Sequence, residues 1–564
     1  MHEQYADDFS ASPVLPEGKT FRVTYDPTVG MMRLIARRGQ DLEEVRKAFS
    51  VENKAAFFSQ QYGYKGEPRL YNVNQFGYFQ PGLVFQILEW LKDQYGTLAG
   101  VAVSKKCAAY VADVLSPLKA ALAGREFEPS NVADDTGANE LRRKKAAEAA
   151  TDDERAKWYE FKMRPYQREA LRRMLFDGWG RGMIEIPTAG GKSLIIANFV
   201  WNLLKNVDPK LRTLILVPNV QLVEQFMSDL EAYGFPRSDL AKLEGGMSKR
   251  EKRENDPAKA KIVVANRQYL MKNEKAVPPP DVLVVDECHS ALAESTAALV
   301  TRCPARLRLA CSGTVPKDRY QRNQLVGMFG RLLYREEIAD LQDGGYISKL
   351  RITSFQVFDR QVDADRDVLF HVNSNKKYVA DDPEGCDIRF DDAVKAEHEY
   401  MAKWYRELYT PVLDYVAGLA GNTLVLFDKL DIGRSLYDLY RERHPEQAAF
   451  YNDGSTKVSE REGTRAGLEE SSGNVLFANV QICGTGVSIK RLHNIVFCFS
   501  SKSTVRVIQS VGRVLRLYAD KNEANLVDVS FNYKYSQRHY RERLQLYKEN
   551  YRKSRPDEVV TAEI

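Results

Sequence analysis

The residues with the clearest chemistry form a short loop between an apolar strand and a helix. The loop reads Pro187-Thr188-Ala189-Gly190-Gly191-Lys192-Ser193. Glycines let the backbone bend so that consecutive N–H groups point at a polyphosphate, and the N-terminus of the following helix adds partial positive charge. Lys192 would meet the β- and γ-phosphates, and the Ser193 hydroxyl would ligate Mg²⁺. The loop therefore predicts a nucleotide site, although Ile186 stands where the usual loop opens with a further glycine.

An acidic pair follows a second apolar strand. Leu283-Val284-Val285 runs into Asp286 and Glu287. Asp286 would hold Mg²⁺, and Glu287 would orient and deprotonate the attacking water. Such a pair can also be an ordinary polar loop, but together with a phosphate loop it favours nucleoside triphosphate hydrolysis.

A glutamine one helix length before the phosphate loop could choose the base. It belongs to the run Arg164-Pro165-Tyr166-Gln167. A glutamine amide pairs with both N6 and N7 of adenine, as it does in DNA major grooves. We therefore predict that Arg164 and Gln167 bind the nucleotide and that the nucleotide is ATP.

Two arginines occur far from this loop, on a helix that also carries Gln509. Arg513 and Arg516 are three residues apart and so face the same side of the helix. Placed across a cleft, they could reach the γ-phosphate. The alternative, a solvated basic helix, fits poorly with the apolar residues between them.

The elements that would position these groups are two alternating series of strands and helices. Each series predicts a doubly wound parallel sheet, and ligands of such sheets lie at the carboxyl ends of the strands. The length of 564 residues is also too great for one core. We therefore predict an α/β protein with these segments: an N-terminal α/β domain (1–122), a charged linker (123–157), a first large domain (158–350), a connecting segment with an acidic stretch near 363–392 (351–420), a second large domain (421–532) and a basic aromatic C-terminal helix (533–564).

The N-terminal domain contains an aromatic-rich stretch that includes Tyr64, Lys65 and Arg69. Aromatic side chains beside cations can stack on bases and bind phosphates, but a small domain also needs aromatic residues for its core. Composition alone favours the core.

Composition limits the other classes of function. The net charge of +5 is too small to establish a nucleic-acid partner. The seven cysteines show no metal-binding spacing, and no apolar run approaches the ~18 residues of a membrane span. We expect a cytoplasmic protein with reduced thiols, no zinc site and no membrane association.

The motifs, taken in this order, resemble those of superfamily 2 helicases and, within that superfamily, the phage UvsW helicase family. They are R-P-Y-Q (164–167), P-T-A-G-G-K-S (187–193), V-P-N (217–219), D-E-C-H (286–289), S-G-T (312–314), G-T-G-V-S (484–488) and Q-S-V-G-R-V-L-R (509–516). Three stretches outside the motor motifs resemble the same family: residues 62–71, 81–87 and 326–330.

The resemblance implies two RecA-like domains that close over ATP and Mg²⁺ while nucleic acid crosses both. It implies that His289 and Ser312 to Thr314 link hydrolysis to domain movement and that Gly486 lies at the nucleotide. It further implies that Asn219, Gln268 and Thr485 contact the backbone of the nucleic-acid strand. On the same grounds, Tyr64, Lys65 and Arg69 are expected to contact nucleic acid, in place of the core role that composition favours.

The expected activity is remodelling of branched DNA in phage-type recombination, repair or replication, by a monomer in the host cytoplasm if phage-encoded. Two alternatives remain open. One is a helicase for RNA or RNA–DNA hybrids, because motor motifs grip backbone and say little about the sugar. The other is an ATP-switched annealing or nucleic-acid-binding protein that separates no strands.

Overall fold

The structure is a computed structural model whose described residues form two compact units. The described residues are 20–26, 31–53, 69–95, 97–98, 100–110, 147, 163–178, 180–360, 390–480, 489, 491–499, 504–518, 521, 523–551 and 556–564. One unit comprises Met1–Ile186 and Gly191–Arg335, and the other comprises Pro187–Gly190 and Glu336–Ile564. Almost all of the predicted linker and of the acidic stretch near 363–392 lies outside the described residues.

The first unit begins with an N-terminal module, residues 20–110, built around a four-stranded sheet of order β5-β2-β1-β6. Phe21 and Val23 alternate with residues of the opposite face and are buried together with Met32 and Leu34 of the next strand, as expected for a sheet with one core face. The strands are β1 (Phe21–Asp26), β2 (Met31–Ala36), β3 (Ser50–Glu52), β4 (Arg69–Tyr71), β5 (Tyr78–Phe79) and β6 (Val101–Val103), and the helices are α1 (Gly39–Ala48), α2 (Val84–Tyr95) and α3 (Lys105–Tyr110).

A seven-stranded parallel sheet of order β13-β7-β12-β11-β8-β10-β9 forms the rest of this unit. Its strands are almost wholly buried, which explains why they read as continuous apolar runs. The strands are β7 (Arg181–Glu185), β8 (Thr213–Val217), β9 (Leu240–Leu243), β10 (Ile262–Asn266), β11 (Val282–Asp286), β12 (Leu307–Ser312) and β13 (Leu332–Arg335). The helices are α4 (Pro165–Arg172), α5 (Lys192–Asn206), α6 (Val220–Ala232), α7 (Lys249–Glu254), α8 (Arg267–Lys272), α9 (Glu294–Arg302) and α10 (Arg319–Phe329).

The strand order brings the motifs of this unit to one edge of the sheet. Strands β7, β12 and β11 are neighbours, and Asp286 is in register with Cys311, which in turn pairs with Ile184. The phosphate loop, the acidic pair and the Ser312 turn follow these three strands directly. They therefore meet at the carboxyl ends, where ligands of parallel sheets bind.

The second unit contains another seven-stranded parallel sheet, of order β16-β17-β15-β18-β19-β14-β20. The strands are β14 (Lys349–Phe358), β15 (Thr423–Phe427), β16 (Ala449–Asn452), β17 (Val475–Asn479), β18 (Asn494–Phe497), β19 (Glu523–Phe531) and β20 (Pro556–Glu563). The helices are α11 (Ile338–Asp343), α12 (Phe390–Lys403), α13 (Tyr405–Ala417), α14 (Leu430–Arg443), α15 (Val458–Glu470), α16 (Thr504–Val514) and α17 (Lys534–Asn550).

The limits of this second sheet differ from the sequence prediction at both ends. Residues 351–420 were predicted as a connection, but β14 is an integral strand of the sheet, and helices α12 and α13 pack in its core. Residues 533–564 were predicted as a helix, but β20 follows α17 and pairs in parallel with β14. Both differences arise because strand pairing joins segments that are distant in sequence, which local patterns do not reveal.

No helix in the described part of the chain is both long and apolar enough to cross a membrane.

Candidate nucleotide-binding and catalytic site

The phosphate loop has the left-handed backbone that its glycines predict. Gly191 has φ of 76° and immediately precedes helix α5, while Ala189 has φ of 71°. A β-carbon at residue 191 would also overlap Nε2 of Gln167, so glycine is required there for space as well as for conformation. Ala189 lacks that freedom and carries about 1 to 2 kcal/mol of strain. The loop thus holds its N–H groups in a shape that an unstructured turn would not keep.

Lys192 and Glu287 form an ion pair across the ends of the sheet. The Lys192 Nζ lies 3.0 Å from Oε1 of Glu287, and both side chains are largely buried. Burial alone would raise the pKa of the Glu287 carboxyl, but the ammonium of Lys192 outweighs it and the pKa is lowered. Burial would likewise lower the pKa of Lys192, but Glu287 and Asp286 outweigh it and raise the pKa. Both groups are therefore charged at neutral pH.

Asp286 is a residue that could hold a cation. Its side chain is buried, and burial raises the pKa of its carboxyl to about 6 in spite of the opposing Lys192. Its Oδ1 is buried with no hydrogen-bond partner among the described residues. A buried carboxylate oxygen of this kind is costly unless a ligand satisfies it, and Mg²⁺ prefers such hard oxygen donors. The Ser193 hydroxyl, the other predicted ligand, lies 3.0 Å from the hydroxyl of Tyr233.

A hydrogen-bonded cluster joins the acidic pair to the Ser312 turn. Glu287 has a left-handed backbone, with φ of 50°, which is unusual outside glycine. Its Oε2 accepts a hydrogen bond of 3.2 Å from Ser312 Oγ. The same Ser312 Oγ lies 2.9 Å from Nδ1 of His289. Burial lowers the pKa of His289, so the imidazole is neutral at pH 7. Ser312 and His289, two of the residues predicted to link hydrolysis to movement, thus lie beside Glu287.

Gln167 lies beside the phosphate loop, as its predicted role requires. Its Oε1 accepts a hydrogen bond of 2.8 Å from the backbone N–H of Arg164, which caps helix α4. Its Nε2 faces Gly191. The Arg164 guanidinium contacts the Tyr166 hydroxyl at 3.2 Å.

Two predicted nucleic-acid residues of this unit lie at helix starts. The Asn219 Oδ1 accepts the N–H of Leu222 at 2.9 Å and caps helix α6, while its Nδ2 is buried with no hydrogen-bond partner among the described residues. Gln268 is exposed near the start of helix α8.

Arg69 of the N-terminal module donates a 3.0 Å hydrogen bond to Ser50 Oγ and is only partly exposed. Tyr64 and Lys65 lie outside the described residues.

The predicted residues of the second unit are only partly described. Arg513 is on helix α16, and Arg516 follows it, with its backbone carbonyl accepting a hydrogen bond of 2.9 Å from Lys521 Nζ. The side chain of Gln509, and all of Thr485 and Gly486, lie outside the described residues.

Sequence reasoning missed Glu185, the last residue of β7. Its Oε1 accepts the N–H of Val315 at 3.0 Å, and its Oε2 lies 2.5 Å from Nε of Arg335. Glu185 therefore links the end of β7, just before the phosphate loop, to the turn after Ser312 through a hydrogen bond. A carboxylate directly after the apolar residues Met183 and Ile184 was the available signal.

Comparisons with known proteins indicate the broad class to which the fold and the site correspond. Residues 160–317 match the family model described as the res subunit of type III restriction enzymes. The fold is shared with the ATP-dependent type ISP restriction-modification enzyme LlaBIII, at 13% identity and a TM-score of 0.50, over 72% of this chain and 31% of that one. The two parallel sheets are those of two RecA-like domains, preceded by a small α/β region. The family match and the fold are consistent with the superfamily 2 class of motor proteins.

Within this class the chain is similar to the ATP-dependent DNA helicase UvsW of Enterobacteria phage T4. The two sequences are 27% identical over 369 residues, which are 64% of this chain and 67% of UvsW. The crystal structure of T4 UvsW aligns with 96% of this chain and 99% of its own, at 21% identity and a TM-score of 0.41. The chain is accordingly an ATP hydrolase of the helicase type.

Proposed function

We propose that this protein is an ATP-dependent DNA helicase that unwinds or branch-migrates forks, junctions and R-loops. The observation that carries the ATPase half of the proposal is the buried cluster of Lys192, Glu287 and Asp286 at the carboxyl ends of β7 and β11, the two neighbours of β12. The DNA half is supported by the similarity to UvsW, which is itself a DNA helicase. The N-terminal domain (1–122), the linker (123–157) and the first motor domain (158–350) are part of the same proposal, as is a monomeric state.

The chemistry follows from the charges at the site. Asp286 and Ser193 would hold Mg²⁺, which would neutralise charge on the phosphates. Lys192 would leave Glu287 for the β- and γ-phosphates, and the freed Glu287 carboxylate would accept a proton from the attacking water. The Lys192–Glu287 pair would therefore keep the Glu287 carboxylate bound to the Lys192 ammonium until a nucleotide separates the two groups.

Nucleotide choice and transition-state charge are assigned to residues outside this cluster. Gln167 would pair with adenine, with Arg164 beside it, and Thr188 to Gly191 would direct N–H groups at the phosphates. Arg513 and Arg516, with Gln509 and Gly486, would stabilise charge on the γ-phosphate from the second motor domain.

Nucleic acid would cross both motor domains through Asn219, Gln268 and Thr485. The buried Nδ2 of Asn219 supports this assignment, since a phosphate oxygen would satisfy it. Tyr64, Lys65 and Arg69 would provide the contact of the N-terminal module with branched DNA.

Strand separation and ATP turnover on matched substrates test the proposal. Forked DNA, four-way junctions, duplex RNA and RNA–DNA hybrids of one sequence should be compared with wild-type protein and with Glu287→Gln. We expect unwinding of branched DNA that requires ATP and is lost in the variant, with hydrolysis slowed by about a hundredfold to ten-thousandfold. Faster action on RNA or hybrids would favour the RNA helicase, and annealing without unwinding would favour the ATP-switched binding protein.

A further inference from the structure

Two of the sequence stretches that resembled the UvsW family outside the motor motifs lie against each other. Gly82, in the turn Pro81–Leu83 of the N-terminal module, abuts the carbonyl oxygen of Val326 on helix α10, and a β-carbon at residue 82 would overlap it. Gly327 on the same helix abuts Gln80, and a β-carbon at residue 327 would overlap Cβ of Gln80. Each element thus presents a glycine where the other comes closest.

Hydrogen bonds fix the direction of this contact. Asn72 Nδ2 donates to the carbonyl oxygen of Tyr320 at 3.1 Å, and Asn72 Oδ1 accepts from Asn323 Nδ2 at 3.0 Å. Gln80 Nε2 donates to Thr301 Oγ1 at 3.2 Å. Apolar residues of both partners, among them Leu83 and Val326, belong to one continuous core cluster. The contact therefore combines close backbone approach, oriented polar pairs and a shared core, which is the packing of a rigid interface.

Helix α10 is the element that follows the Ser312 turn, and its far end is fastened to the strands of the ATP site. The carbonyl oxygen of Met328 accepts hydrogen bonds of 3.2 Å from both Arg181 and Arg308. These buried arginines belong to β7, which leads into the phosphate loop, and to β12, which ends at Ser312. Asp318 caps the near end of the helix through the N–H of Gln321 at 2.9 Å. A displacement of α10 would therefore move the residues of both strands and the turn that contacts Glu287.

We infer that helix α10 couples the N-terminal module to ATP hydrolysis, with the docking face formed by Asn72, Gln80 and Gly82 acting as the positioning surface. This inference rests on the proposed function, since it requires that nucleic acid binds the module. When the module is docked and bound to DNA, α10 holds the Ser312 turn against Glu287 and His289. When docking is lost, the ATP site keeps its own residues but no longer responds to DNA on the module.

Glycine substitutions test the docking face with controls in each partner. Gly82→Ala and Gly327→Ala place a methyl group in the interface, whereas Gly39→Ala in the module and Gly245→Ala in the motor domain meet no atom within 4 Å. Alanine inside α10 favours the helix by about 1 kcal/mol, so loss of that helix would not explain a defect in Gly327→Ala. The double variant Gly327→Ala with Gln80→Gly removes the overlapping Cβ, at the loss of the Gln80–Thr301 hydrogen bond, and should restore docking in part.

The measurements are hydrogen–deuterium exchange, ATP turnover with and without forked DNA, and binding of the fork. For Gly82→Ala and Gly327→Ala we expect faster exchange across Val84–Tyr95 and Arg319–Phe329, unchanged basal turnover and a loss of about tenfold in DNA-stimulated turnover. The two control variants should behave as wild type, and the double variant should regain part of the stimulation.

The outcomes separate this inference from the proposed function. Wild-type turnover that does not respond to any nucleic acid would overturn the proposed function itself. Normal stimulation in variants whose exchange shows the module undocked would overturn the coupling while leaving the helicase assignment intact. Unchanged exchange in both glycine variants would overturn the docking face.

Discussion

At the scale of single residues, the proposed ATP site holds its charged side chains close together. Lys192 and Glu287 are largely buried and lie 3.0 Å apart, and Asp286 beside them retains an oxygen with no hydrogen-bond partner among the described residues. Buried charges are costly when unpaired, so each of these groups depends on the others or on a bound nucleotide and cation. Replacing one of them therefore changes the protonation of the rest as well as the chemistry.

Lys192→Ala should reduce ATP turnover by about a thousandfold, because the ammonium that would stabilise the phosphate charge is removed. The pKa of the Glu287 carboxyl should also rise, since Lys192 is what holds it below its usual range. Steady-state hydrolysis checks the first effect, and its pH profile checks the second. Lys205→Ala, at the exposed end of the same helix, is the control. Turnover within tenfold of wild type would contradict the assignment of Lys192.

At the scale of elements, the C-terminal helix α17 is held by a buried charge network. Arg543 is 2% exposed and donates to Asp528 at 2.7 Å, and the Tyr547 hydroxyl donates to the other carboxylate oxygen at 2.7 Å. Tyr540, Tyr547 and Tyr551 are buried as well. The helix thus belongs to the core of the second unit.

Arg543→Ala should destabilise the second unit by about 3 to 5 kcal/mol, because Asp528 would remain as a buried charge without its partner. The free energy of unfolding in denaturant measures this cost. Arg541→Ala is the matched control, since Arg541 is exposed on the same helix. If Arg543→Ala lowers the free energy of unfolding by less than about 1 kcal/mol, the Asp528 carboxylate is not left as an unpaired buried charge, which would contradict the prediction.

Helix α17 also begins on a carboxylate from another helix. Glu397 of α12 is buried and accepts the N–H groups of Tyr535 at 3.0 Å and Ser536 at 2.8 Å. Burial raises the pKa of Glu397 to about 7, in spite of these two hydrogen bonds. The folded state therefore binds a proton more tightly here than the unfolded chain, whose glutamates titrate near pH ~4.3.

The second unit should consequently lose stability as pH rises from about 4.5 to about 7, with the full loss reached above that range. Thermal melts across this range test the effect, and Glu397→Gln should weaken the pH dependence because the titrating group is removed. Glu399→Gln, an exposed neighbour on the same helix, should keep the wild-type dependence. Identical pH profiles for wild type and Glu397→Gln would contradict the assignment.

At the scale of the whole molecule, the N-terminal module and the first motor domain share a core. Leu83, Val84 and Ile87 of the module belong to the same buried cluster as Val326 and Phe329 of helix α10. The module is therefore a part of the first unit.

Deletion of residues 1–122 should expose the apolar face of α10 and lower the melting midpoint of the first unit by about 5 °C or more. Differential scanning calorimetry measures the midpoint, and binding of a hydrophobic dye reports the exposed face. A truncated protein that melts like the full chain would show that the module contributes no stability.

The sequence alone determined the features that depend on local pattern. The strand, glycine loop, lysine and helix of residues 183–204, and the acidic pair after Val285, follow from the backbone freedom of glycine and from periodicity, which act within a few residues. The α/β class and the two parallel sheets follow from the alternation of apolar strands and helices. The structure and the comparisons confirm both.

Only the tertiary structure decided the features that join distant segments. The placement of β14 and β20 in one sheet, the capping of helix α17 by Glu397, and the contact of Gly82 with Val326 depend on which surfaces meet after folding. A buried arginine such as Arg543 looks like any surface charge until its partner, Asp528, is seen beneath it. Local propensity cannot specify these contacts, because their energy comes from burial and pairing between residues whose separation along the chain is set by the fold.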